Sequence, residues 1–234
     1  MTQDLAPDRS AEELSAQLQA HSAVARRYEA LLRHPRLGAL APSLGRAYLA
    51  IASSLERGGT LYLAGNGGSL SDALHISGEL LKSFARPRPL PEALRARLLE
   101  QPYGAELASA LQAGLRAHVL GCNPALASAV ANDIPLPGIG YAQELAALAR
   151  PGDVFLGIST SGRARNILLA VAVAKAWGLT TIGLTGQPGK PLAEMVDIPL
   201  CVPESETYRV QELHIALYHQ LCLLLEEHFF PGED

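Results

Sequence analysis

The chain has 234 residues, 48% hydrophobic and only 5% aromatic, a length that suits one sizeable domain and a composition that calls for an Ala/Leu/Val interior. Its 19 basic and 23 acidic residues leave a formal net charge of -4, without the electrostatic footprint of a nucleic-acid or anionic-membrane binder. No uninterrupted apolar run reaches the ~18 residues of a membrane span, the N-terminal MTQDLAPDRSAEEL lacks the plan of a secretory leader, and Cys122, Cys201 and Cys222 have no C-x-x-C spacing, so a soluble cytoplasmic protein with free thiols is expected.

In chain order, Leu14, Leu18, Val24, Tyr28 and Leu31 recur at near-helical spacing, and Ser10 with Glu13 makes a capping box, which predicts one amphipathic helix from Ser10 to about Leu32. His34-Pro35 interrupts it. A second helical pattern runs through Leu37, Leu40, Leu44, Tyr48, Ile51 and Leu55 and stops at Gly58-Gly59. This helical pair, residues 10–57, presents an apolar stripe ahead of the first strand, and a second subunit is a natural cover for it. Thr60 to Ala64 reads as a short buried strand, followed by a helix to about Phe84. The stretch from Ala85 to Leu107 holds four prolines and four arginines. Within an insertion over 85–112, it reads as a loop with a short helix, surface padding in preference to a lid.

A strand is predicted at Leu115 to Leu120, a turn at Cys122-Asn123-Pro124, a short helix ending near Asn132-Asp133, and a helix from about Tyr141 to Ala149. Val154 to Ile158, Thr180 to Thr185 and Ile198 to Val202 read as strands, with helices at about Arg163 to Trp177 and Ser205 to Phe230. The alternation makes 1–234 a single α/β domain whose parallel sheet is covered by helices on both faces. In such sheets ligands sit beyond the C-terminal ends of the strands.

Two of those strand ends carry chemistry. In LYLAGNGGSLSDALHISGELL, Leu61 to Leu81, an apolar strand breaks into glycines and restarts as a helix, where Ser69 and the free N–H groups of the first turn suit an anion. His75 and Glu79, four apart, project from one face of that helix and add an acid/base pair. An ordinary strand-to-helix turn with a polar surface pair is the competing reading. The glycines match neither the dinucleotide fingerprint nor the P-loop. The second end sets Ser159, Thr160 and Ser161 at a helix start, where capping needs only one hydroxyl. Arg163 and Arg165 follow, adding charge to a site or lying on a solvated face. On the closing helix, Gln211, Glu212, His214 and His219 stand amid leucines, and such a polar cluster marks a site because unsatisfied polar groups are costly in a packed face.

Together, GNGGS with H-x-x-x-E, the Asn132-Asp133 pair, GDVFLGISTSG, LTG, and V-Q-E-L-H followed by His219 resemble the sugar isomerase (SIS) domain, specifically its phosphoheptose isomerase branch. The motifs run in order from Ser10 to Phe230 apart from the Ala85 to Leu107 insertion. The resemblance implies a three-layer αβα sandwich with a five-stranded parallel sheet, preceded by two N-terminal helices, and a homotetramer with sites at subunit interfaces. It implies a phosphorylated sugar as substrate and conversion of sedoheptulose 7-phosphate to D-glycero-D-manno-heptose 7-phosphate.

Residue by residue, Asn66, Gly67, Gly68 and Ser69 match the family's substrate-holding loop, Asn132 and Asp133 a substrate-contacting pair, and Ser159, Thr160 and Ser161 its phosphate-binding hydroxyls. Glu79 matches the catalytic base and His219 the acid. Gln211 is carried over as a substrate contact, and His75, Glu79, Gln211 and His219 match the zinc ligands of some members, a donor set that suits zinc. Gln211 and His219 are ~12 Å apart along a helix axis, which stretches any single metal between them. Arg163-Ala164 stand where the family has Asn-Ser, so one phosphate-binding hydroxyl is missing. A noncatalytic SIS protein that binds a phosphosugar or a partner is the alternative, and an isomerase of another ketose phosphate is a third reading.

Overall fold

The computed structural model describes residues 14–16, 18 and 20–232. Strands β1 (Leu61–Ala64), β2 (Ala117–Val119), β3 (Val154–Ile158), β4 (Thr180–Thr185) and β5 (Ile198–Cys201) form one parallel sheet in the order β2-β1-β3-β4-β5. β1 and β3 are buried throughout, as strands covered on both faces are. Their side chains alternate between two cores. Leu61, Leu63, Val154 and Leu156 join the core under helices Ser22–Leu32, Ala41–Glu56, Gly68–Leu81 and Thr207–Phe229. Tyr62, Ala64 and Phe155 join the one under Gly140–Leu148 and Arg165–Ala176. The result is the three-layer αβα sandwich that the resemblance implies. Pro199 falls in β5, an edge strand that tolerates its missing N–H.

β1 pairs with β2 on one side and β3 on the other, so successive crossovers leave β1 in opposite directions. The crevice beyond the C-terminal ends of β1 and β3 is therefore the topological switch point of the sheet. Both chemistry-bearing turns follow these two strands.

Several element edges differ from the predicted ones. The continuous helix expected over Ser10–Leu32 is broken at His21, which is extended at φ -126°, ψ 92° and precedes the regular helix from Ser22. Its ring packs against His228 with centroids 4.6 Å apart, a tertiary contact that periodicity does not reveal. The Ser10–Glu13 capping box lies outside the described residues. The Gly68 helix ends at Leu81, short of Phe84, because Lys82 turns extended while Arg88 takes the carbonyls of Glu79 and Leu80. Between residues 85 and 112 there are two helices, Glu92–Leu99 and Gly104–Ala110, and the first buries no residue. Arg88, at the start of that stretch, is by contrast only 1% exposed. Cys122, Cys201 and Cys222 are free thiols. Among the described residues no helix is long and apolar enough to cross a membrane.

Candidate active site

The first turn is open. Asn66, Gly67 and Gly68 are exposed, and Gly67 holds φ 54°, a conformation that favours glycine. The N–H groups of Ser69 and Leu70 bond back to the carbonyls of Asn66 and Gly67, whereas those of Gly67 and Gly68 have no backbone partner among the described residues. These are the orphan donors of a helix start, the arrangement that binds anions. Ser69 is buried behind them. Gln211 reaches this turn from the closing helix: a Cβ on Gly68 would collide with its side-chain amide. Close approach of Gln211 is thus what Gly68 permits.

About two turns further on, three side chains meet. His75 Nε2 lies 3.1 Å from Glu79 Oε1 on the same helix and 3.4 Å from His219 Nε2 on the closing helix. His75 Nδ1 is 2.9 Å from the hydroxyl of Tyr218, which is itself 3.4 Å from Asp72 Oδ1. Glu79 is half-buried and His75 exposed. Burial, then the neighbouring His75, lowers the pKa of His219, so its neutral form is favoured. Burial raises Tyr218, and burial also raises Asp72 against the opposing pull of Tyr218 and His75. Tyr218 and Asp72 escaped the sequence reading because they look like an aromatic core residue and a helix-surface acid. Their signal is position: each stands beside the face of a proposed site residue.

The second turn is closed. Ser159 is buried and its Oγ accepts from the Ala164 N–H at 3.4 Å, while Ser161 Oγ accepts from the Arg163 N–H at 3.3 Å. Thr160 is held by its carbonyl, which accepts from the Gly186 N–H at 3.0 Å. Its hydroxyl has no partner among the described residues. Gly162 has φ 69°, and a Cβ there would strike the backbone of Gly189. The helix begins at Arg165, with Arg163 and Arg165 exposed.

A pair of amides stitches the two turns together. Asn66 Nδ2 donates to Asn166 Oδ1 at 2.9 Å, and Asn166 Nδ2 donates back to Asn66 Oδ1 at 2.7 Å. Tyr141 donates to the Gly65 carbonyl and stands 3.4 Å from Asn66 Oδ1. A cavity of about 250 Å³ opens beside Asn166 and Tyr141. Neither residue was singled out in the sequence, although an Asn in the first turn of the helix after a hydroxyl-rich strand end is the available signal. A larger cavity, about 790 Å³, lies among Arg26, Arg86, Glu227, Pro231 and Gly232, away from the strand ends.

Other candidates stay outside this group. Asn132 and Asp133 are exposed at the end of helix Pro124–Asp133 and bond to each other at 2.9 Å. His214 does not join the polar cluster expected on the closing helix. It is fully buried, its ring nitrogens have no aligned hydrogen-bond partner among the described residues, and burial pushes its pKa down to about 4, with the Thr185 backbone opposing that shift in part. Glu212 is exposed.

The residues fit a zinc ion in part. A carboxylate oxygen of Glu79 and the Nε2 of His219 lie 3.1 and 3.4 Å from His75 Nε2, close to the ~3.3 Å edge of a tetrahedron with metal bonds of about 2.0–2.1 Å. Tyr218 and Asp72 would orient His75 from behind, as partners of metal-bound histidines do. Glu79 and His219 form no ion pair with each other, and no closed group of three acidic, His or Cys ligands occurs among the described residues. Gln211 lies at the glycine turn, the separation its spacing from His219 implies.

Known proteins are similar to this chain along most of its length. The SIS domain family model matches residues 137–225. A phosphoheptose isomerase of Thermodesulfovibrio yellowstonii is 39% identical over 180 residues, 77% of this chain and 77% of that protein. One from Trichlorobacter lovleyi is 36% identical over 217 residues, 93% of this chain and 94% of that one. The solved structure of the Neisseria gonorrhoeae phosphoheptose isomerase has a TM-score of 0.64 at 27% identity, covering 92% of this chain and 97% of its own. The chain belongs to the phosphoheptose isomerase family of SIS-domain proteins.

Proposed function

We propose that this chain is an aldose–ketose isomerase that interconverts sedoheptulose 7-phosphate and D-glycero-D-manno-heptose 7-phosphate in the cytoplasm. The observation that carries this reading is the meeting of Glu79 and His219, from two separate helices, at His75. Isomerisation needs a base to move a proton between two adjacent carbons and an acid to serve their oxygens. Glu79 takes the C1 proton of the ketose, and the enediol accepts a proton back at C2. His219, held largely neutral, exchanges a proton with the sugar oxygens as the carbonyl moves from C2 to C1. Asn66, Gly67, Gly68, Ser69 and Gln211 hold the sugar chain, with Asn132 and Asp133 contacting it, and Ser159, Thr160 and Ser161 seat the phosphate. Arg163 stands where it can add charge to that seat.

Zinc is the proposed cofactor, held by His75, Glu79 and His219 with Gln211 as the remaining donor, and when bound it would polarise the sugar carbonyl. Tyr218 accommodates either state of His75. It donates to Nδ1 when Nε2 carries the proton, and it accepts from Nδ1 and turns to Asp72 when Nε2 gives its lone pair away. A homotetramer is proposed as well, supported by Leu74, Leu81 and Ile215, which are exposed on the two helices that carry the site.

The test is a turnover assay with sedoheptulose 7-phosphate, run beside five- to eight-carbon ketose phosphates, together with thermal shift. Turnover highest on the seven-carbon substrate is expected. Stabilisation by the sugar phosphate without turnover would replace this reading with the noncatalytic binder.

A further inference from the structure

We infer that Arg88 is a positioning residue that sets Glu79 against His219, an inference that rests on the isomerase reading above. Arg88 belongs to the proline- and arginine-rich stretch that follows the Gly68–Leu81 helix, yet its side chain is fully buried. A buried charge must have its donors satisfied, and here each nitrogen has an acceptor. Nε donates to Glu226 Oε1 at 2.8 Å, one terminal nitrogen donates to the Leu80 carbonyl at 2.9 Å, and the other donates to the Glu79 carbonyl at 2.9 Å. The guanidinium carbon lies 4.8 Å from the centroid of the Phe230 ring. A helix C-terminus exposes orphan carbonyls and the negative end of the helix dipole, and Arg88 answers both. Its planar fork fixes two adjacent carbonyls in a way a flexible ammonium does not. One of those carbonyls belongs to the proposed base itself.

The other end of the same ion pair reaches the acid. Glu226 lies on the closing helix that carries His219, and its carboxylate accepts from the N–H groups of Phe84 at 2.9 Å and Ala85 at 2.8 Å. The Phe84 ring packs 5.4 Å from the ring of His219. Arg88 and Glu226 therefore join the helix of the base, the helix of the acid and the ring that backs the acid. Buried ion pairs add little stability over apolar residues of similar volume. What this network supplies is the fixed separation that a proton-transfer pair requires.

Two variants test this: Arg88→Lys, which keeps the charge without the fork, and the double variant Arg88→Met with Glu226→Met, which removes both charges. Cooperative melting is expected in both, with KM for sedoheptulose 7-phosphate within about threefold of the parent, kcat lower by at least about tenfold, and faster amide exchange over residues 78–82. Parent kcat in either folded variant, or a loss confined to KM, overturns the inference. A double variant that fails to fold while Arg88→Lys keeps parent kcat assigns the pair to stability alone and also overturns it. Amide exchange needs no substrate, so unchanged exchange over 78–82 in Arg88→Lys refutes the role of Arg88 even if the parent shows no turnover, a result that by itself would refute only the reaction.

Discussion

The turns after β1 and β3 occupy equivalent places in the sheet and have been built in opposite ways. The first leaves Asn66, Gly67 and Gly68 exposed, with backbone donors unspent and, among the described residues, no atom within 4 Å of an added Cβ at Gly67. The second folds in on itself: Ser159 and Ser161 already accept backbone N–H groups, and Gly162 is pressed against Gly189. A motif shows which polar atoms are present, and only the fold shows which are spare. The open turn keeps its Gly67 and Gly68 N–H groups without a backbone partner among the described residues. In the closed turn the Ser159 and Ser161 hydroxyls accept backbone N–H groups, and the Thr160 hydroxyl has no partner among the described residues.

Substitutions at matched positions would break or sharpen this contrast. Gly162→Ala meets both a left-handed φ and the Gly189 backbone, so about 3 kcal/mol of stability should be lost, read by denaturant or thermal unfolding. Gly67→Ala meets the φ alone and should lose about 1 kcal/mol; equal losses at the two positions would erase the distinction between closed and open.

His214 packs near Thr185, which donates to the Thr160 carbonyl at 3.4 Å beside the closed turn. Its folded pKa, about 4, lies below the unfolded value of 6.5. The neutral form is thus stabilised by folding, and the contribution is present above pH 6.5 and lost as pH falls toward 4. The loss should approach roughly 3 kcal/mol at pH 4. His214→Leu should flatten that part of the stability–pH profile, and an unchanged profile would contradict the assignment.

Asn166→Ala unpairs Asn66 and should raise KM about tenfold while lowering stability by about 1 kcal/mol, measured by steady-state kinetics and melting. Arg163→Ala, at an exposed position, should change stability by less than about 0.5 kcal/mol. A larger change would show that Arg163 is part of the closed turn's own structure.

The sheet was legible because β1 and β3 are unbroken apolar runs ended by turn residues, and because the crossovers are long enough for parallel pairing. Both motif-bearing turns, and His75 with Glu79 on one helix face, followed from spacing alone. What spacing did not show is what one element does to another across long sequence separations. His21 breaks a periodic helix against His228. Asn66 and Asn166, a hundred residues apart, form one amide pair. Arg88 sits in a stretch whose composition reads as surface padding, yet it is among the most buried side chains. His214 shares the closing helix with His219 and faces the other way into the core. Periodicity reports faces, and a polar residue on a buried face looks the same in sequence whether it serves a site or merely packs.

The most direct measurement is proton NMR of the reaction in deuterated water, with the parent chain and with Glu79→Gln. In the parent, deuterium should enter at C2 of the aldose product as Glu79 exchanges its proton with solvent between abstraction and return. In Glu79→Gln, deuterium incorporation and isomerisation should both fall by roughly 100- to 10,000-fold while the sugar phosphate still binds. Incorporation by Glu79→Gln at the parent rate would contradict the role of Glu79 as the base.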